Sequence, residues 1–369
     1  MKGKSIVRII VSVGLVLVLV SVVGVAGCAQ PAPTPTPARA PTEWEQLVAK
    51  AKTEGKVTFY GNVMKKTQSL WTDYFAKNYP EIKLEFQLLT GGTALAKLTA
   101  EQAAKTYVCD IFSSATATVA QASDAGYLMD FVPPELIDPN VKWALGDPLA
   151  LRPQYVIYTT PYGITFNTNL APPGTEPKSW KDLADPKWKG KFVTEDPRNQ
   201  GKGNKWFLYM YNNPAYGPDY LKKVLVDNKV TCSSDAAGLA AMVARGEYAA
   251  DITSTFKFYQ SVQQTGINLP LAFHYYDDPT MRSDLAAAVA NNAPHPNAAK
   301  LFLNYLLSAD GQAALADGDT AIPVRLGTKL PYPDYQNLAN VKLITPLSIK
   351  TEQDELTKMR DLAKQMLGG

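Results

Sequence analysis

The sequence predicts an α/β protein of two lobes, each a mostly parallel sheet flanked by helices, with hinge strands joining them. Three observations predict it. Strand-like and helix-like periods alternate over residues 56–126 and again over residues 192–257, which implies parallel strands with helices on their faces. The stretch from about Pro41 onward is long for one hydrophobic core. Between the alternating regions, Tyr158 to Asn167 carries aromatics and threonines in alternation, the pattern of one long strand crossing between lobes, and a second crossing is expected within residues 271–290.

The chain opens on Lys2, Lys4 and Arg8, followed by an almost wholly apolar run from Ile9 to Val25. Charge first and apolar run next is the pattern of an export signal. Val25-Ala26-Gly27-Cys28 resembles a bacterial lipobox, which implies lipidation of Cys28 and a membrane anchor by buried acyl methylenes. Residues 29–42 contain Pro31, Pro33, Pro35, Pro37 and Pro41, so this segment is expected to be a semi-extended spacer. The expected division is 1–27 signal, 28–42 lipidated tether, 43–160 with 275–320 as the first lobe, and 161–274 with 321–369 as the second.

The elements follow in order. Thr42 and Glu45 form a capping box ahead of a helix ended by Gly55. Residues 56–60 read as a strand. Leu70, Trp71, Tyr74 and Phe75 share one helix face, stopped by Pro80. Residues 82–88 alternate as a strand, 93–105 read as a helix, 108–112 as a strand, and a helix then runs to Gly126. In the second region 192–194 is a strand, Trp206, Phe207 and Met210 mark a helix, and another begins near Pro218. Residues 230–232 are a strand, Ser233-Ser234-Asp235 is expected to cap the next helix, and 249–253 is a strand followed by the loop 254–257.

Open parallel sheets bind ligands at the carboxyl ends of their strands. Those ends nominate Tyr60 and Asn62, Gly92 and Thr93 within the run 90–93, then Ser113, Ser114 and Thr116 from the first lobe. From the second they nominate Thr194, Arg198, Asn199, Ser233, Ser234, Thr255 and Lys257, with Tyr162 and Tyr275 as aromatic walls near the crossings. Hydroxyls, helix N-termini and one or two cations suit an organic or oxyanionic ligand. Arg198 could pair bidentately with a carboxylate, phosphonate or sulfonate. Helix capping or sheet packing accounts equally for each of these residue types.

Three segments carry a family resemblance. YGITFNT (162–168) is similar to a hinge strand of type II periplasmic binding proteins, and SWKDLADPKWKGK (179–191) and APHPNAAK (293–300) with the helix after it resemble segments of their ferric-ion-binding branch. The resemblance covers nearly all of the chain after the tether. It implies two lobes closing on a ligand, handed to an ABC permease, by a protein that works as a monomer without cofactor or chemical step. Within these segments Trp180 and Trp188 are expected to anchor packing, Ala298, Leu301, Phe302, Tyr305 and Leu306 to form a core-facing stripe, and His295 to sit at a surface or cap position.

Ferric iron is an alternative ligand because the branch includes iron binders. The windows where that branch places tyrosine or histidine read TSTFKF (253–258) and GNVMK (61–65) here, and Lys257 would repel a cation, so no metal is expected. Tyr275, Tyr276, Asp277 and Asp278 are the residues that could supply an iron site instead. A sensor for a membrane receptor is a further alternative. The net charge is +3 with charges mixed along the chain, which offers no basic block for nucleic acid. Only His274 and His295 occur, and neither a zinc-protease spacing, a nucleophile elbow nor a Walker loop is present. An enzyme is therefore not expected, a lipoprotein hydrolase being the weakest alternative. Cys109 and Cys232 lie in apolar, strand-like contexts and are expected as buried free thiols.

Overall fold

A long strand ties the fold together. In the computed structural model, which describes residues 39–89, 91–265, 268–331, 341–344 and 347–368, β4 (Tyr155–Asn167) belongs to two half-sheets at once. Its first half, Tyr155 to Pro161, pairs antiparallel with β9 (Arg282–Val289), and Tyr158 and Thr159 also pair with the short β10 (Ile322–Pro323). Its second half, Tyr162 to Asn167, pairs antiparallel with β7 (Ala250–Thr255) and β8 (Leu271–Tyr275). The expected crossing is thus observed, three residues longer at its start than the aromatic–threonine pattern shows, and β8 and β9 make the second crossing. Gly163 is needed at the junction, because a Cβ there would lie 2.5 Å from the His274 carbonyl oxygen.

The first half-sheet runs β2–β1–β3–β9–β4. β1 (Lys56–Gly61) pairs parallel with β2 (Lys83–Leu88) and with β3 (Ile111–Ala115). One face packs on α1 (Glu43–Glu54), α2 (Lys65–Asn78), α10 (Pro296–Leu307) and α11 (Ala309–Gly318), through Phe59, Trp71, Phe75, Ile157 and Phe302. The other face, with Tyr60, Phe112 and Ala286, packs on α3 (Gly91–Ala104) and α4 (Thr116–Asp124). The second half-sheet runs β4–β7–β5–β6, with β5 (Phe192–Glu195) parallel to both β7 and β6 (Thr231–Ser233). Its core gathers Trp180, Trp188, Phe192, Trp206 and Phe207, including α6 (Lys202–Tyr211) and the buried Met359 and Ala363 of α12 (Ile349–Leu367). α8 (Leu239–Ala244) and α9 (Phe256–Gln263) cover its other side.

Local chemistry explains the boundaries. Thr42 and Glu45 form the reciprocal capping box, with Glu45 N donating to Thr42 Oγ1 at 3.2 Å and Thr42 N to Glu45 Oε2 at 2.6 Å. The strand expected at 108–112 starts later, at Ile111, because the backbone N–H groups of Val108 and Cys109 donate to the Glu101 carboxylate instead of a ladder. The strand expected to stop at Thr253 runs on to Thr255, and the helix expected from Ser233 begins only at Leu239 after a turn closed by Asp235. Beyond the expected lobe change at residue 321, β10 still pairs with the first half of β4, while Tyr275 is still in β8 of the second half-sheet. His295 takes the expected cap position, at the N-cap of α10, but is tied down there: its backbone N and its Nδ1 bond the two oxygens of fully buried Asp110 at 2.8 and 2.9 Å. Trp180 and Trp188 are buried as expected, as is the Ala298-to-Leu306 stripe. Cys109 and Cys232 are free thiols, but Cys232 is only half-buried. The export signal, Cys28 and the tether up to residue 38 lie outside the described residues, as does Thr90.

Candidate functional site

A cavity of about 250 Å³ opens where the half-sheets meet. The crossing strands contribute Tyr155, Val156, Arg282 and Asp284. Thr116, at the start of α4, and residues 143–151 wall it from the first half. Lys205 and Tyr209 of α6 and Glu352 of α12 wall it from the second. The 143–151 wall is held by the Trp143–Arg325 bridge and by Ala144 N donating to Val324 O at 2.8 Å. α12 reaches both sides: Gln353 Nε2 donates to the Ala117 carbonyl at 2.8 Å, and Glu352 pairs with Lys205 at 2.5 Å.

Most of the lining is apolar, and its enclosed charges come as two pairs. Alternate residues of a strand share a face, so Arg282 and Asp284 meet, with Nε donating to both carboxylate oxygens at 2.9 Å. Thr159 Oγ1 donates to Asp284 Oδ1 at 2.5 Å. Tyr209 Oη accepts from Leu347 N at 3.1 Å, and burial, then the neighbouring Glu352 charge, pushes its hydroxyl up to about 12. The Trp143 indole N–H is buried with no hydrogen-bond partner among the described residues.

Residues 60–313 match the profile of the family described as bacterial extracellular solute-binding protein. The chain belongs to that family. Solved structures similar to this solute-binding protein include iron-bound HitA from Pseudomonas aeruginosa, with TM-score 0.68 and 18% identity over 84% of this chain and 99% of that one. AfuA from Actinobacillus pleuropneumoniae, with exogenous fructose-6-phosphate bound, gives TM-score 0.66 and 22% identity over 85% and 98%. At these identities the likeness is one of fold, the two-lobed periplasmic-binding-protein fold. A periplasmic protein of Salmonella typhimurium named for 2-aminoethylphosphonate binding is 28% identical over 159 residues, 41% of this chain. The solute-binding protein spans 46% of the length of that curated relative.

Of the strand-end residues nominated above, only Thr116 lines the cavity of the solute-binding protein. Hydroxyls expected in loops lie inside strands and bond their neighbours. Ser113 Oγ donates to Ala286 O at 3.0 Å, Thr194 and Thr253 share a hydrogen bond of 2.9 Å, and Thr255 is buried as the last residue of β7. Ser114 is buried close under Gly91, where a Cβ would lie 2.9 Å from its Oγ. Ser233 Oγ accepts from Asp235 N at 3.1 Å. Tyr60 is a core residue whose hydroxyl donates to Glu101 at 2.5 Å, and Tyr162 is buried with its hydroxyl 2.9 Å from Ser283 Oγ. Asn62, Gly92, Thr93, Asn199 and Ser234 are exposed.

Both nominated cations already have partners. Arg198 forks onto Asp196, with Nε at 3.0 Å and Nη2 at 2.8 Å, and its Nη1 donates to Gly368 O at 2.7 Å. Burial raises the Asp196 carboxyl, but the hydrogen bonds and charge of Arg198 outweigh it and leave it below its ordinary value. Lys257 donates to Asp319 at 3.0 Å. Glu195, the last residue of β5, accepts from Lys202 N at 3.0 Å at the start of α6. Burial raises its carboxyl, against the opposing charge of Lys202.

The residues that could have held ferric iron are also placed elsewhere. Tyr275 is buried, and the Tyr276 hydroxyl donates to Ile252 O at 2.9 Å while its ring lies on Trp180 at 3.7 Å. Among the described residues no group of three or more His, Cys, Asp and Glu side chains converges as metal ligands, and no helix is long and apolar enough to cross a membrane. Sequence reasoning missed Arg282, Asp284, Lys205, Tyr209, Glu352 and Trp143. The one available signal was a cation and an anion two residues apart at the head of the apolar run 285–290.

Proposed function

We propose that this solute-binding protein is the extracytoplasmic substrate-binding component of an ABC importer, capturing a small organic or oxyanionic solute between its lobes and presenting it to the permease. The observation that carries the reading is the cavity walled by both half-sheets and by the strands crossing between them. A solute touching both walls favours the closed arrangement by its differential contacts, with no chemical step required. The names of relatives that bind 2-aminoethylphosphonate and fructose-6-phosphate support a solute bearing an oxyanion. The guanidinium of Arg282 supplies the matching cation.

The export pattern, Cys28 and the proline-rich spacer support a protein tethered to the outer face of a membrane by acyl chains. Thermal unfolding against a panel of phosphonates, carboxylates, sugar phosphates and ferric ion tests the reading. A ligand that binds only the folded state stabilises it by about 2.7 kcal/mol at a hundredfold excess over its dissociation constant. A stabilising organic anion whose effect is lost in Arg282→Ala supports the site. Stabilisation that survives Arg282→Ala unchanged removes the cavity from the proposal.

A further inference from the structure

Resting on the reading of the interlobe cavity as the solute site, we propose that it selects zwitterions: solutes with an ammonium and an anionic group on one short skeleton. The enclosed charges balance, Arg282 and Lys205 against Asp284 and Glu352, each of these side chains only 14% to 18% exposed, while the further carboxylate of the lining, Asp147, is solvent-exposed. A solute with net charge would leave one charge uncompensated in this enclosed space, which is strongly unfavourable. A solute with no charged group would leave charged hydrogen-bonding groups without partners.

Those groups divide by sign. Arg282 commits Nε to Asp284, and its terminal nitrogens have no protein partner among the described residues. These donors suit the oxygens of a carboxylate, sulfonate or phosphonate. On the acceptor side, Lys205 holds Glu352 through Oε1, while Oε2 has no partner among the described residues. That oxygen suits an ammonium. At about 250 Å³ the cavity is smaller than the usual range for drug-sized ligands, roughly 300–1,000 Å³, so the skeleton between the charges is short.

Calorimetric titration of the full chain with matched probes tests this: β-alanine against propionate, taurine against ethanesulfonate, and 2-aminoethylphosphonate against ethylphosphonate, with glucose alongside. In at least one pair the zwitterion should bind about tenfold or more tightly than its amine-less partner. Glu352→Gln should bring that ratio close to one, the zwitterion losing the partner of its ammonium and the amine-less anion keeping or gaining affinity from the freed Lys205, a change in selectivity that a merely structural role would not produce. Amine-less partners binding as tightly as the zwitterions, or glucose binding alone, would overturn the inference and leave solute capture standing. Binding by none of the probes would count against both. The comparison on the unmodified chain decides the matter even if the variant folds poorly.

Discussion

Asp319 follows the last turn of α11, fully buried, and collects four donors. Met64 N donates at 2.6 Å, Thr67 Oγ1 at 2.8 Å, Lys257 Nζ at 3.0 Å and Tyr158 Oη at 3.2 Å. The carboxylate therefore caps α2 from a distant part of the chain, ties the crossing strand β4, and reaches α9 of the second half-sheet. Replacing it by alanine leaves three donors of the first half, two of them buried, without an acceptor. Each hydrogen bond to a charged group contributes about 1.5–3 kcal/mol and the group shares one acceptor, so the losses do not add fully. Lys257 is 20% exposed and can turn toward water, which limits its own share. Asp319→Ala should cost about 3–5 kcal/mol, and Lys257→Met about 1–2 kcal/mol. Urea unfolding followed by circular dichroism reads both, provided the slope is unchanged between variants. If Lys257→Met costs as much as Asp319→Ala, the lysine and not the first-half donors carries the junction, and the reasoning fails.

Further perturbations probe other parts of the fold. Gly203→Ala would bring a Cβ within 1.9 Å of the Glu195 carbonyl oxygen, backbone against backbone, so it should displace the start of α6 and lower the unfolding midpoint by several degrees, at roughly 2–4 °C per kcal/mol. Trp180→Ala removes the ring on Tyr276 and the bond from Nε1 to Pro279 O at 3.1 Å, and should cost about 3–5 kcal/mol in the same unfolding assay. The raised Glu195 carboxyl binds its proton more tightly folded than unfolded, so its contribution to stability grows as pH falls through its folded value toward the ordinary 4.5. Glu195→Gln should therefore be most advantageous near neutral pH, and that advantage over the unmodified chain should shrink on acidification toward pH ~4.5, read as the difference in unfolding midpoints. Ferric ion should produce no tyrosinate-to-metal colour, because burial holds the Tyr275 and Tyr276 hydroxyls far above their ordinary value; a visible absorption band on adding ferric salt would refute this.

The fold was more legible in the sequence than the site, for a physical reason. Fold follows from period, and period survives errors of a few residues: the alternation over 56–126 and 192–257 yields both half-sheets even though β3 starts at Ile111 and β7 ends at Thr255. Site assignment does not survive such errors. Moving the ends of β3 and β7 by two or three residues carries Ser113, Ser114 and Thr255 out of the expected loops and into ladders, where neighbouring strands take up or enclose their hydroxyls. The pairing of charges is hidden for a related reason. Arg198 and Lys257 look unpaired in sequence because their partners are not evident there: Asp196 folds back two residues away, and Asp319 arrives from 62 residues downstream.

The cavity charges show the converse. Arg282 and Asp284 sit at the head of a strand that the sequence marks only as a crossing, and Lys205 and Glu352 lie on two helices 147 residues apart in sequence, joined only by tertiary packing. A crossing strand in this fold is more than a hinge, because its residues at i and i+2 share a face and β9 presents that face to the cavity as Arg282 and Asp284. Charged pairs at such a position are expensive to bury and add little stability over apolar packing. Their presence in the wall of the cavity is thus better explained by recognition than by folding. Replacing Arg282 and Asp284 together by Met and Leu separates the two explanations. If the pair serves recognition, the double variant should keep or gain up to about 1–4 kcal/mol of stability while losing the ligand-induced rise in unfolding midpoint. A double variant that loses stability and retains the ligand response would assign the pair to the architecture of the hinge instead.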